Sequence, residues 1–318
     1  MVVERKSFWN RKPAWGAAWL SSLLLTFVVP WGERAAAKVT TKSEGSWSVG
    51  WQPAKLANGA PLIFQVTTPK RLDSLSGTWL EHEVFFSFDV TSKTWYGIAG
   101  VSLGTKPGTY SLQLKGSAGG REISFERKIR IGRAKYPSIS VTVSKQFTEP
   151  STEQLQQIKQ AKILKRDVFS QVTRQQEWSG PFLSPVNARV SDVFGTRRVF
   201  NGETKSVHEG LDYAVPQGTP VSALNAGTVL LAQSLYFEGN CVVLDHGQGL
   251  LTLYLHLSEF KVKAGNRVTR GQEIGLSGGT GRATGPHLHI AVRWEGVYLD
   301  PAILLKLHLP RSEEQHEK

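Results

Sequence analysis

The side chains with the most chemistry to offer crowd into the carboxyl-terminal half of the chain: His208, His246, His256, His287 and His289, together with Asp212. In Pro286-His287-Leu288-His289 the two histidines are two residues apart. In an extended strand they point to one face, while Leu288 and Ile290 turn the other way into a core. Both imidazoles do not easily chelate one ion from an extended backbone, but one can bind while its neighbour acts beside it. In His208-Glu209-Gly210-Leu211-Asp212 an imidazole and a carboxylate flank a glycine just before an apolar strand. A neutral imidazole nitrogen and a carboxylate oxygen both suit zinc, at roughly 2.0–2.2 Å. With His289 they form a set of two histidines and one carboxylate. Three protein ligands leave the fourth tetrahedral position to water, as in catalytic rather than structural zinc sites. Zinc so held lowers the pKa of that water to about 7 and polarises a bound carbonyl. His256, in Tyr254-Leu255-His256-Leu257, and His287 remain as non-ligand histidines. Strand alternation puts His256 on the face of Tyr254, opposite Leu253 and Leu255. Amide hydrolysis needs a proton taken from water, a donor to the oxyanion and a proton for the leaving amine, tasks that two histidines can divide.

Other residues carry blander expectations. His246, in Asp245-His246-Gly247, closes a turn, and His82 is a surface strand residue. Cys241, the one cysteine, sits in the apolar run Asn240-Cys241-Val242-Val243-Leu244 and is a buried small hydrophobe rather than a nucleophile. Gly278, Gly279, Gly281 and Gly285 supply backbone freedom to a tight loop. They lack the strand–loop–helix context with lysine that cradles phosphate. Arg197 either contacts a substrate or supports the groove.

These residues need a frame, and the patterning predicts a mainly β protein. From Trp47 to Val143 short alternating runs recur about every ten residues with Gly/Pro turns, which predicts a β-sandwich over 45–145. The candidate strands include Pro61–Thr67, Leu80–Val90, Thr94–Leu103, Thr109–Leu114, Arg121–Ile131 and Ser138–Val143. A short helical linker follows in 150–179, with Ser151 and Gln154 spaced as a capping box. Leu155, Ile158, Ile163 and Leu164 make a partial apolar stripe, and Lys159, Lys162, Lys165 and Arg166 form a solvated basic face. Residues 180–305 form a second, glycine-rich antiparallel β domain, and 310–318 are a polar tail.

The bulk composition limits the partners. The 318 residues carry 38 lysines and arginines against 26 acids, a net charge of +12. That balance favours an anionic partner, whether nucleic acid, acidic lipid or an anionic wall polymer or envelope surface, and charge alone does not choose among them. No basic run with interleaved aromatics and no helix-turn-helix pattern is present, which argues against nucleic acid. One cysteine excludes an intrachain disulfide framework. Residues 1–37 place a cationic head (Arg5, Lys6, Arg11, Lys12) before an apolar stretch and Ala35-Ala36-Ala37. That order is expected of a secretory signal, the competing reading being a retained membrane anchor.

Taken in order, the second domain resembles the lysostaphin-type, or LytM-like, zinc metallopeptidases. The resemblance runs through Phe194-Gly195-Thr196-Arg197, His208-Glu209-Gly210-Leu211-Asp212-Tyr213, Gly218-Thr219-Pro220-Val221-Ser222-Ala223, Asp245-His246-Gly247, Tyr254-Leu255-His256-Leu257 and Thr284-Gly285-Pro286-His287-Leu288-His289. It implies His208, Asp212 and His289 as zinc ligands and His256 and His287 as catalytic histidines. It also implies cleavage of peptide cross-links in bacterial peptidoglycan, with D-amino-acid cross-links favoured over glycine bridges, and export to the periplasm or cell envelope. An immunoglobulin-like module ahead of the peptidase is similar to some envelope members. The alternative is a non-catalytic regulator of other wall hydrolases; retention of all five site residues argues for an enzyme.

Overall fold

The computed structural model describes residues 47–310 apart from 142–146, 148, 172 and 201–203. The expected signal or anchor, the polar tail and the end of the Ser138–Val143 strand lie outside the described residues. The protein is mainly β, with two helices among the described residues: α1 (Thr152–Phe169) and a single turn, Pro301–Leu304.

The amino-proximal half holds two sheets. One has four antiparallel strands in the order Ser48–Gln52, Pro61–Thr67, Thr94–Gly100, Ser87–Asp89. The other has five, in the order Leu56–Ala57, Arg121–Gly132, Gly108–Ala118, Ser74–Trp79, His82–Phe85. The single strand expected over Leu80–Val90 is instead two, His82–Phe85 and Ser87–Asp89, one in each sheet. A tight turn with left-handed Leu80 and Glu81 folds His82–Phe85 back onto Ser74–Trp79, and the break falls at Phe86, where the chain leaves that sheet for the pairing of Ser87–Asp89 with Thr94–Tyr96 in the other.

Leu62, Ile63, Phe64 and Val66 are consecutive or nearly so, yet all are fully buried. A strand buries both faces only when each is covered. The second half of the molecule provides the other cover: Leu299 packs so closely on Gly100 that a Cβ there would lie 2.6 Å from it, and Asp300 N–H donates to Gly59 O. Gln248 pins the contact further. It is fully buried; its Oε1 accepts from Ile98 N–H, and its Nε2 donates to Ser87 Oγ and Tyr96 O. His82 packs edge-on against Trp294, with ring centroids 5.4 Å apart, so it belongs to this junction and not to the surface. One apolar core runs continuously from Trp47 to Leu309.

The carboxyl-proximal half is built on an eight-stranded antiparallel sheet. Its order is Val190–Asp192, Leu211–Tyr213, Leu288–Trp294, Leu250–Leu257, Gly239–Asp245, Gly227–Leu235, Arg267–Val268, with Val297–Leu299 also paired to Leu288–Trp294. A smaller sheet, Ser138–Val141, Arg197–Phe200, Thr204–Val207, stands beside it.

Helix α1 begins with the expected capping box between Ser151 and Gln154. Its buried stripe differs from the expected one. Ala161 and Val168 are buried, with Leu164 and Phe169 beside them, against Leu231, Leu235, Cys241, Val243, Leu251, Leu253 and Ala291. Leu155 and Ile163 are exposed. Helical periodicity decides this: Ala161, Leu164 and Val168, spaced i, i+3, i+7, form the face laid on the sheet, and Ile163 lies off it. Lys165 is not part of a solvated face, because it is ion-paired with Glu238.

Candidate metal centre

Asp212 and His289 are direct cross-strand partners between Leu211–Tyr213 and Leu288–Trp294. Leu211, Tyr213, Leu288 and Ile290 flank them and turn into the core. Strand alternation therefore sends the carboxylate and the imidazole to the opposite face, side by side. His208 joins them from the loop ahead. Its backbone N–H donates to Thr196 O, and its carbonyl accepts from Gly195 N–H. Its Nδ1–H donates to Val193 O at 2.8 Å, which turns the Nε2 lone pair toward the other two.

His208 Nε2 lies 3.1 Å from Asp212 Oδ1 and 3.1 Å from His289 Nδ1, and His289 Nδ1 lies 2.7 Å from Asp212 Oδ1. Ligand atoms ~2.0–2.1 Å from a tetrahedral ion stand about 3.3 Å from one another. Two imidazoles and a carboxylate already drawn to nearly that spacing fit a small divalent cation. Gly210 makes the approach possible, since a Cβ there would meet the His289 ring at 2.4 Å and Ile290 O at 2.3 Å.

A second layer holds the carboxylate. Arg198 Nη2 donates to Asp212 Oδ2 at 2.7 Å, while its Nε and Nη2 donate to Asp192 Oδ2. Asp192 Oδ1 accepts from Thr196 Oγ1 and Val193 N–H. Asp212 thus keeps Oδ1 for the cluster. Burial pushes the Asp212 carboxyl up, but its hydrogen bonds with His208 and His289 and their charges outweigh that and hold it well below the usual carboxylate range. Burial pushes His289 down, against the pull of Asp212.

Arg198 and Asp192 were missing from the sequence reading, which singled out Arg197. In the Arg197–Phe200 and Thr204–Val207 hairpin Arg198 pairs with Ser206 and reaches the cluster, whereas Arg197 is exposed on the other face. Consecutive residues of a strand cannot both face the site, and two adjacent arginines do not say which does.

His256 reaches the site by a route that alternation does not anticipate. Asn240 pairs with Leu257 and Val242 with Tyr254, so Cys241 opposes two residues, Leu255 and His256. The extra residue is a bulge, and His256 takes it up with a left-handed φ of 61°. The bulge reverses the predicted face. Tyr254 points into the main core, and His256 instead lies among the histidines, its ring centroid 6.0 Å from His289 and 4.7 Å from His287. Strain of this kind costs on the order of 1–3 kcal/mol and persists where surroundings enforce it. Here Glu238 O accepts from His256 N–H, and Thr280 O accepts from His256 Nδ1–H at 2.8 Å. That leaves Nε2 as a free acceptor. Burial, with His289 and His287 nearby, pushes His256 down to about 3, so it is neutral at neutral pH.

His287 bridges to Gly278 and stands half-buried at the mouth, its Nδ1–H donating to Gly285 O at 2.8 Å. Of the glycine run, Gly281 requires its residue type: φ is 70°, and a Cβ would lie 2.3 Å from Gly239 N. A cleft of about 340 Å³ opens over Asp212, His256, His287 and His289, bordered by Arg198 and Arg282.

His246 and Cys241 stay outside the site. His246 is fully buried; its Nδ1–H donates to Ala226 O at 2.6 Å, and Nε2 accepts from Thr252 Oγ1 at 2.7 Å. It is thus a core polar residue as well as a turn residue. Cys241 is buried among apolar groups, which push its thiol up.

Residues 206–301 match the family model described as Peptidase family M23, a span that contains all five site residues. Over 132 residues the chain is 43% identical to the peptidoglycan DD-endopeptidase ShyA of Vibrio cholerae serotype O1, covering 41% of this chain and 30% of that protein. Over 139 residues it is 43% identical to the DD-carboxypeptidase/endopeptidase Mpg of Neisseria meningitidis serogroup B, covering 43% of this chain and 31% of that one. The chain therefore spans about a third or less of the length of these curated relatives. A crystal structure of a candidate M23 peptidase from Pseudomonas aeruginosa superimposes with a TM-score of 0.61 at 27% identity, over 79% of this chain and 95% of the other. That overlap reaches well beyond the family-matched segment.

Proposed function

The chain belongs to peptidase family M23, a family of metallopeptidases, and from that premise we propose that it is a zinc-dependent endopeptidase acting on the peptide cross-links of bacterial peptidoglycan. The observation that carries the reading is the convergence of His208 Nε2, Asp212 Oδ1 and His289 Nδ1, mutually 2.7–3.1 Å apart, with the neutral His256 beside them. These three atoms are the assigned zinc ligands, and the mixed nitrogen and oxygen donor set suits that ion. Zinc there supplies Lewis acidity, making a water acidic near neutral pH and polarising the scissile carbonyl.

The remaining steps fall to the protein's own groups. His256 Nε2 accepts a proton from the attacking water, its tautomer set by the bond from Nδ1 to Thr280 O. His287, held through Nδ1 by Gly285 O, presents Nε2 at the cleft mouth, where its imidazolium form would donate a hydrogen bond to the developing oxyanion, and the proton that His256 took from the water passes to the leaving amine. Arg198 keeps Asp212 in register throughout. The retention of all five groups supports catalysis over a purely regulatory role.

D-alanine–diamino-acid cross-links are the preferred substrate class, supported by the names of the ShyA and Mpg relatives. Residues 1–37 direct the protein to the envelope, where that substrate lies. The test is digestion of purified sacculi by the zinc-loaded full chain, with mass spectrometry of the released fragments. New D-alanine carboxyl ends paired with free diamino-acid amines are expected. Release by cleavage within glycine bridges, or no release, overturns the assignment.

A further inference from the structure

Arg197 faces away from the metal centre, and there it borders a cavity of about 440 Å³ at the junction of the two β halves. Lys106 and Arg133 line the same cavity, and no carboxylate does. The three cations come from separate segments: Lys106 from the turn ahead of Gly108–Ala118, Arg133 from just after Arg121–Gly132, and Arg197 from the Arg197–Phe200 strand. All three are exposed. None has an ion-pair partner among the described residues, whereas Lys165, Arg198 and Arg267 each meet a carboxylate.

The wall that carries them is pinned from behind. Asn58 ties two of the segments together: its Nδ2 donates to Leu103 O and its Oδ1 accepts from Ala134 N–H, both at 2.8 Å. Tyr136 brings in the third. Its hydroxyl donates to Asn58 O at 2.8 Å, and its ring lies so close to Gly195 that a Cβ there would be 2.3 Å away. Burial, and then Asp300, push Tyr136 up to about 12, so it adds no negative charge. Asp300 itself caps the Pro301–Leu304 turn at Ala302 N–H and does not line the cavity. Single unpaired cations are ordinary on a surface. Three held around one concavity, with no acid to offset their repulsion, focus a positive potential into it. Two planar guanidiniums and an ammonium are the donors that suit an oxyanion.

We propose that this junction cavity binds a phosphate monoester, with Arg133, Arg197 and Lys106 as its cations. The guanidiniums take phosphate oxygens through paired N–H bonds, and Lys106 adds a point charge. A phosphate monoester carries about −1.5 to −2 at pH 7, which matches three cations better than one carboxylate does. The volume falls within the roughly 300–1,000 Å³ of small-ligand sites, so the phosphate enters with its carrier. The site uses neither the metal ligands nor the cleft, and the inference stands whether or not the peptidase reading does. Adjacent arginines thus serve opposite faces of one strand: Arg198 holds Asp212, and Arg197 receives the anion.

The test is calorimetric titration of the full chain with glycerol 3-phosphate, with glycerol as the uncharged control and zinc-loaded and zinc-free protein side by side. Glycerol 3-phosphate is expected to bind both forms alike, and glycerol neither. Arg133→Gln and Arg197→Gln are each expected to weaken binding by about tenfold or more, the contribution of a charge-assisted bond. Lys162→Gln removes the same charge from helix α1 and is expected to leave binding unchanged. The substituted side chains are exposed, so melting temperatures should stay parental. No binding, binding confined to the zinc-loaded form, parental affinity in Arg133→Gln and Arg197→Gln, or equal weakening by Lys162→Gln overturns the site. Sedimentation with phosphatidylcholine vesicles containing phosphatidic acid then identifies the carrier. Retention that Arg133→Gln abolishes marks a lipid headgroup, and its absence beside intact glycerol 3-phosphate binding marks a soluble ester; either supports the site.

Discussion

Gly210→Ala tests the geometry of the centre without touching any proposed ligand. The new Cβ would lie 2.4 Å from two atoms of the His289 ring and 2.3 Å from Ile290 O. Ordinary van der Waals contact begins near 3.4 Å, so His289 and its strand must recede by about 1 Å from the Leu211–Tyr213 strand. Rotating His289 away does not relieve the clash, because one of the colliding atoms is backbone. Metal sites tolerate ligand displacements of only about 0.2 Å, and a misplacement of about 1 Å at a reacting centre costs on the order of a hundredfold. Zinc affinity measured by chelator competition is expected to fall by about that factor, with peptidase activity falling in step. Gly285→Ala is the matched control, because nothing lies within 4 Å of a Cβ there and its φ is not left-handed. It should bind zinc like the parent. A Gly210→Ala protein with parental zinc affinity and melting temperature would refute the claim that the two strands hold the ligands in place by this close approach.

Three further outcomes follow from the geometry. His256→Ala should retain zinc while turnover on sacculi falls by roughly 10²–10⁴-fold, the usual contribution of a general base; parental turnover would remove His256 from that role. Arg198→Lys keeps the charge but loses the fork that joins Asp192 to Asp212, so zinc affinity should drop by about 10–100-fold; chelator competition checks it, and an unchanged value counts against a supporting role. The buried His246 is held down at about 4 by burial, partly opposed by its bond to Ala226 O. Its folded value lies below the unfolded one, so its contribution to stability is complete above about pH 6.5. It declines by about 3 kcal/mol as the pH falls to about 4, because only the unfolded chain takes up the proton in that window. Titration of the His246 ring by NMR should show it neutral at pH 5, and a midpoint near 6.5 would contradict the network with Ala226 and Thr252.

The sequence by itself determined which groups could meet a metal. Histidine and aspartate types, their spacing around Gly210 and along the Leu288–Trp294 strand, and the change in texture between the two β halves are local features. Local rules handle them because alternation in a strand depends only on neighbouring backbone. The same rule failed at His256, whose face is set by a bulge opposite Cys241, fifteen residues away in the chain. It was silent about Arg198 against Arg197, because hairpin register chooses between them. The stripe of α1, the junction built on Gln248 and the pairing of Lys165 with Glu238 depend likewise on which surface each segment is laid against. Burial and pairing partners are properties of the packed molecule: an imidazole becomes a neutral base, or a carboxylate a receptor for a cation, only when distant segments close around it and displace water.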